Sequence, residues 1–363
     1  MNMDLPVRNA WRRLKKNRGA MFGLVIILIS LFIALFAYSI APDHSPYANR
    51  MIVEIGGQKP GFSKQFLKIP SSQKTISVTW LDEFLSGTPD TFQLVPINHF
   101  EFKKDSILIQ QFIDEETSIP VYYPLTKLTS SKSDSTIITT KTFYFGTDKY
   151  GRDIVSRLLI GVRVSLGVGL ITVLISLTIG VLLGAVAGYF RGKTDDVIMW
   201  FINVIWSIPT LLLVFAITLL LGKGFWQIFI AIGLTMWVNV ARIVRGQILG
   251  VRELEYVEAA KALGYSSFRI LFRHILPNVM GPVLVVAASN FASAIVIEAG
   301  LSFLGIGVQP PQPSWGLMIK ENFNFIITHN PMPALVPGFA IMLLVLAFNL
   351  LGNGLRDALS VKS

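Results

Sequence analysis

MFGLVIILISLFIALFAYSIA, residues 21–41, carries no charge and follows RNAWRRLKKNRG, residues 8–19. A helix needs about 20 apolar residues to cross the hydrocarbon layer of a bilayer, and this run reaches that length. A secretory signal also places basic residues before an apolar core, and SIA resembles a cleavage site. A signal's core is shorter, however, about 7–15 residues. The run is therefore read as a retained first transmembrane helix, with residues 1–20 as a basic N-terminus. Arg8, Arg12, Arg13, Lys15, Lys16 and Arg18 oppose only Asp4 there. Such a cluster beside a span is held on the cytoplasmic side.

The whole chain agrees with this start. Its 363 residues are 52% hydrophobic and 15% charged, against about 25% charged in an ordinary soluble domain. The net charge of +10 could serve nucleic acid, but the N-terminal cluster supplies much of it, so the expected partner is a lipid bilayer and no nucleic acid. The absence of cysteine excludes disulfides, iron–sulfur clusters and Cys-ligated zinc. Five more apolar runs follow at about 164–189, 197–221, 226–244, 277–299 and 333–352. Each is near spanning length. Six spans that start inside return the C-terminus inside, so both termini are expected in the cytoplasm of a multi-pass protein of the plasma (bacterial inner) membrane. The loops fit: 245–276 holds Arg245, Arg252, Lys261, Arg269 and Arg273, whereas GKGFW and 300–332, placed outside, hold only Lys223 and Lys320 as bases.

Between the first two spans lies a polar stretch, 42–144, whose acids and bases roughly balance. TISVTWL, FQLVPI and SILIQQF alternate as strands do, separated by turn residues. A small β-rich extracytoplasmic insert is expected, acting as a specificity element or as a packing and docking module. The fold class is thus an all-α polytopic membrane protein of six helices with one β-rich insert. Within the spans, Gly180, Gly184 and Gly188 recur every four residues, a spacing that lets helices approach closely. Pro209 is expected to kink the third span. Glu298, Asn239 and Asn290 lie at depth, where polar groups face a cavity or a partner. They are candidates for a translocation pathway. The bland alternatives are interfacial pairing for Glu298 and interhelical hydrogen bonds for the asparagines.

EAAKALGYSSFRILFRHILPN, residues 258–278, is charged and helix-forming yet lies between apolar runs. Tyr256, Ala259, Ala260 and Leu263 fall at helical spacing on one thin apolar face. Gly264 suits a left-handed position after the helix. Ser266 or Ser267 can cap a second short helix, FRILFRHIL, and Pro277 begins the fifth span. The hairpin could lie on the bilayer, but its alanine-rich face suits docking against a protein better.

This segment resembles the signature loop of the membrane subunits of ATP-binding-cassette (ABC) importers, E-A-A, three residues, Gly, nine residues, I-x-L-P. Glu258, Ala259, Ala260, Gly264, Leu276 and Pro277 match it in spacing, and His274 replaces Ile as in the peptide branch. FGTDKYGRDIVSRLLIGVRVSL (145–166), LSFLGIGVQPPQPSWGLMI (301–319) and LGNGLRDAL (351–359) resemble the same branch. Over about 1–41 and 145–363 the chain is similar to the C-type permeases for dipeptides, oligopeptides or nickel. The long 42–144 insert departs from their shorter loop. The resemblance implies a transmembrane permease core over 145–363. It implies that loop 245–276 forms coupling helices seated in a groove of the ATPases, and that ATP binding drives access switching through them. Tyr256, Glu258, Ala259, Ala260, Leu263 and Gly264 would form that interface. The implied partners are a second homologous permease, two cytoplasmic ATP-binding-cassette ATPases carrying ATP and magnesium, and an extracytoplasmic substrate-binding protein.

No catalytic residue, cofactor or metal is assigned to this chain. GKT at 192–194 lacks the glycine a phosphate loop needs at position 187, which is Ala, and follows a span rather than a strand. Histidines 44, 99, 274 and 329 are scattered. The charges of GTDKYGRD are read as capping and i,i+4 pairing, such as Asp153 with Arg157. Two competitors remain. A stand-alone ion-driven transporter should carry buried acidic or histidine chains. A membrane-anchored sensor using 42–144 should carry an output domain, for which the stretch after 352 is too short.

Overall fold

A computed structural model of the protein describes residues 4–71, 79–128, 137–222, 224–327 and 330–359. Helix α1 (Asp4–Lys16) leads to α2 (Arg18–Leu35) and the single turn α3 (Ala37–Ile40). The insert then runs β1 (Phe62–Pro70), α4 (Trp80–Ser86), β2 (Phe92–Lys103), β3 (Ser106–Phe112), β4 (Ser118–Pro124), α5 (Leu125–Leu128) and β5 (Ile138–Phe143). Next come α6 (Ile154–Phe190), α7 (Gly192–Trp206), α8 (Thr210–Leu221), α9 (Phe225–Val251) and α10 (Glu255–Ala262). The chain closes with α11 (Ser267–Arg269), α12 (Leu276–Phe303), α13 (Trp315–Asn322) and α14 (Met332–Leu359).

Among the described residues, five helices are long and apolar enough to cross a membrane: α2, α6, α9, the run Ser267–Phe303 and α14. The third expected span is broken rather than kinked, because α7 and α8 meet at 92°. Pro209 explains the size of the bend. It has no N–H to continue the ladder, disfavours helical backbone at Ile208, and itself sits extended at φ −54, ψ 124. The second span begins ten residues earlier than its apolar run, at Ile154, because Asp153 caps it by accepting from the Ser156 N–H at 2.8 Å and from the Ser156 hydroxyl. That carboxylate therefore does not pair with Arg157 as expected.

One compact unit comprises Met1–Leu31, Ser165–Gln309 and Ala340–Ser363. Helix α9 is its centre: 67% of its apolar window is buried, against 17% for α2. The glycine stripe of α6 lies on α9. A Cβ at Gly180 would fall 2.5 Å from the Val240 Cβ, and one at Gly184 2.5 Å from the Ala241 carbonyl. Gly188 lies over Arg245 and Ile248 in the same way. Backbones this close maximise dispersion contact where lipid offers no hydrophobic drive.

The other unit comprises Phe32–Val164 and Pro310–Phe339. Its centre is an antiparallel sheet of order β4-β3-β2-β1-β5. Adjacent residues of a strand point to opposite faces, and both faces are covered. Phe66 joins Ile52, Ile55, Leu94, Phe112 and Phe143, whereas Leu67 joins Val95, Ile97, Ile107, Ile109 and Leu128. FQLVPI and SILIQQF form β2 and β3 as expected. TISVTWL does not form a strand at its end: Thr79 and Asp82 make a reciprocal capping box that starts α4. Residues 75–78 of that stretch lie outside the described residues. Beside the sheet, the turn at 145–157 buries its acids and arginines and leaves Lys149 exposed. Arg152 is 1% exposed and bonds Asp148 Oδ2 and Glu321 Oε2, each at 2.6 Å. Arg157, equally buried, faces Asp148 at 3.8 Å and Glu321 at 3.6 Å.

Candidate functional site

The hairpin between α9 and α12 is built by local rules. Helix α10 ends with Gly264 at φ +78. The Tyr265 N–H bonds the Ala260 carbonyl at 3.2 Å and the Gly264 N–H bonds Lys261 at 2.9 Å. This is the reciprocal pair that closes helices at a left-handed glycine. The Ser266 hydroxyl then accepts from the Arg269 N–H at 3.4 Å, so Ser266 rather than Ser267 is the cap. The second arm is not a separate helix. A π turn, Ile270–Ile275, joins α11 directly to α12. The wider turn precedes Pro277, whose missing N–H would otherwise break the ladder.

The inner side of the hairpin is fused to the helical core. Val257, Ala260, Ile270, Leu271 and Ile275 are buried with Ala185, Tyr189, Val240, Val244, Ile248, Val279 and Val283. Arg252 donates to the Tyr189 carbonyl at 2.6 Å, and Arg245 makes two bonds to Asp195 at 2.5 and 2.6 Å. Asn278 donates to the Tyr256 hydroxyl and to the His274 carbonyl, both at 2.8 Å. Of the six residues singled out in the sequence, Ala260 points inward, and Val257 takes the inner position that the thin apolar face had assigned more broadly. Tyr256, Glu258, Ala259, Leu263 and Gly264 are exposed, Leu263 by 73%. Phe268, 71% exposed, joins them and was missed. Its signal was a phenylalanine on the polar side of a short loop helix. Tyr265 stacks on His274 with centroids 5.8 Å apart and accepts Arg269 over its ring at 5.3 Å.

A cavity of about 240 Å³ lies within the same unit. Trp206, Ile208 and Thr210 line it from the break between α7 and α8, Thr235 and Asn239 from α9, and Ser289, Asn290 and Ser293 from α12. Asn290 also donates to Ser176 Oγ at 3.5 Å. The two asparagines therefore meet in one polar space. Glu298 does not line it. Its Oε1 accepts from the Ser302 hydroxyl at 2.6 Å, and Ser302 Oγ accepts from the Val308 N–H at 3.0 Å, which fastens the loop after α12.

Residues 180–362 match the family described as "Binding-protein-dependent transport system inner membrane component", and residues 6–55 match the "N-terminal TM domain of oligopeptide transport permease C". The dipeptide transport system permease protein DppC of Bacillus subtilis is 38% identical over 77% of this chain and 87% of its own length. The oligopeptide permease OppC of the same organism is 41% identical over 61% of this chain and 72% of its own. A Lactococcus lactis DppC, at 33% identity, aligns over 97% of this chain and 89% of its own, insert included. The chain thus belongs to the binding-protein-dependent inner-membrane transport components, as a permease subunit of an ABC importer that groups with the dipeptide and oligopeptide permeases.

Proposed function

We propose that this chain carries peptides or closely related small solutes across the bacterial inner membrane, pairing with a second homologous permease to form the path. In this reading the bent α7–α8 pair serves as one span, giving six, with both termini cytoplasmic and the β-rich insert extracytoplasmic. The small solute reaches the path from an extracytoplasmic binding protein, and two cytoplasmic ATPases that hold ATP and magnesium drive the cycle. The relatives named for dipeptides, oligopeptides and glutathione support the substrate class. The polar cavity with Asn239 and Asn290 is the proposed stretch of the path.

The observation that carries the coupling role is the two-sidedness of the hairpin. One side is fused to α6, α9 and α12. The other presents Tyr256, Leu263 and Phe268 to solvent around Glu258. A rigid element with an open apolar face transmits movement of whatever seats on it. The test is purification of the tagged chain in mild detergent together with peptide uptake in vesicles. Two ATPase chains and a second permease should accompany it, and Glu258→Arg should abolish uptake while the assembly remains folded. Uptake by this chain alone without ATP would replace the importer reading with an ion-driven transporter.

A further inference from the structure

We propose that α4 is an interfacial helix, with Trp80, Leu81 and Leu85 seated among phospholipids at the membrane boundary reached by the end of α2. At about 100° per residue, Trp80, Phe84, Leu81 and Leu85 fall within an arc of about 140°, and Asp82, Glu83 and Ser86 take the other side. Phe84 turns inward, edge-on to Phe36 at 5.7 Å. The other three are open, Trp80 by 74%, Leu85 by 59% and Leu81 by 48%. Scattered exposed apolar residues need no explanation, but a contiguous set marks an interaction surface. The acids opposite are held away from it. Asp82 closes the capping box with Thr79, and Glu83 accepts from the Thr88 hydroxyl at 2.9 Å.

The position of α4 identifies what covers this face. Arg163 of α6 donates to the Ala34 carbonyl at 2.5 Å and to the Leu35 carbonyl at 2.9 Å, the last acceptors of α2. The same guanidinium donates to the Leu85 carbonyl at 2.7 Å and the Phe84 carbonyl at 3.2 Å, in the last turn of α4. Carbonyls at a helix C-terminus lack partners within the helix and attract a cation, so one arginine fastens both ends together. Helix α2 carries no charge after Arg18, and its last carbonyls mark where the chain leaves hydrocarbon. The end of α4 shares that depth. Rings also connect the two surfaces: Phe32 packs on Phe36 at 4.8 Å, Phe36 on Phe84, and Phe32 itself is 59% exposed. Tryptophan, an apolar body with one N–H, is enriched at such boundaries, and amphipathic helices lie in them with their apolar side down. The inference rests on α2 being a span, and not on the substrate or the direction of transport.

Because the chain contains no cysteine, a nitroxide can be attached at single introduced cysteines on exposed positions. The full chain, with the subunits that accompany it, is reconstituted in phosphatidylethanolamine–phosphatidylglycerol vesicles. Power-saturation EPR then compares collisions with oxygen, which concentrates in lipid, and with a water-soluble nickel chelate. Labels at Leu81→Cys and Leu85→Cys should collide more with oxygen, and labels at Glu83→Cys and Ser86→Cys more with nickel. If Leu81→Cys and Leu85→Cys meet nickel as freely as Glu83→Cys, α4 faces water and the proposal falls. If both are shielded from oxygen and nickel alike, a protein covers the face, and the proposal falls on that result too.

Discussion

The charged turn at 145–157 and the charged hairpin at 252–276 carry the same kinds of residue: arginines, acids, a tyrosine and a left-handed glycine. In the turn, Arg152 and Arg157 are each 1% exposed among Asp148 and Glu321. In the hairpin, Glu253 is 64% exposed and pairs with Arg191 of the link between α6 and α7, itself 44% exposed. Gly151 has φ +73 and Gly264 φ +78, yet a Cβ at Gly151 would fall 1.7 Å from the Ile52 carbonyl, whereas one at Gly264 meets nothing within 4 Å. Similar local chemistry thus serves an internal clasp in one place and an open surface in the other. What separates them is the second partner. The turn has a distant acid, Glu321, to close against; the hairpin has apolar helices on one side and solvent on the other.

Substitutions in the two regions should separate accordingly. Arg152→Ala leaves Asp148 and Glu321 buried with only Arg157, at 3.8 and 3.6 Å, to face them, and should lower stability in detergent by about 3 kcal/mol, the low end for breaking a buried pair. Arg191→Ala, at an exposed pair, should change it by less than about 1 kcal/mol. Equal melting shifts for the two would erase the contrast. Gly151→Ala should cost more than the roughly 1–2 kcal/mol of left-handed backbone, because it also collides with the Ile52 carbonyl; Gly264→Ala should cost only that backbone strain. Comparison of the two melting curves checks this.

Burial raises the Asp153 carboxyl above its ordinary range despite the bonds from Ser156. A raised folded value means that its contribution is complete below about pH 3.9, the unfolded value, and is lost as pH rises through the folded one. Asp153→Asn keeps an oxygen for the cap and removes the ionisation, so the loss of stability between acidic and neutral pH should become shallower than in the wild type. An unchanged pH slope would show that Asp153 does not titrate there. The smallest stability effect belongs to Leu263→Asp, within about 0.5 kcal/mol as for open surface positions. Its expected loss is in ATP-driven uptake, so normal uptake would remove the hairpin's outer face from the coupling role.

The parts of the fold visible in the sequence were those written by neighbours in the chain. Gly264 and Ser266 announced the turn and the cap, and the 180–184–188 glycines announced a close helix contact, whereas the helix expected to begin at Pro277 runs through it from Ser267. Asn239 and Asn290 were recognisable as polar groups at depth. Their meeting in one cavity was not, because it depends on α7 and α8 parting at 92°. Nor could periodicity choose Val257 over Tyr256 as the inward residue. That choice is made by Val240, Ile248 and Ile275, which arrive from other helices. The Arg152–Glu321 bond joins residues 169 positions apart, a distance at which no local pattern speaks. Thr79 misled in the opposite way, as a β-branched residue in an alternating run that serves as a helix cap.

The second arm of the hairpin runs on into α12 through the π turn at 270–275 as one helix, Ser267–Phe303. Phe268 stands near its open end and Asn290 lies on its cavity wall, 22 residues further on. At about 1.5 Å per residue this is a rod of roughly 33 Å between them. Such a rod works as a lever: a tilt imposed at the phenylalanine is carried toward the asparagine, and the π turn at 270–275 and Pro282 are the places where it can bend.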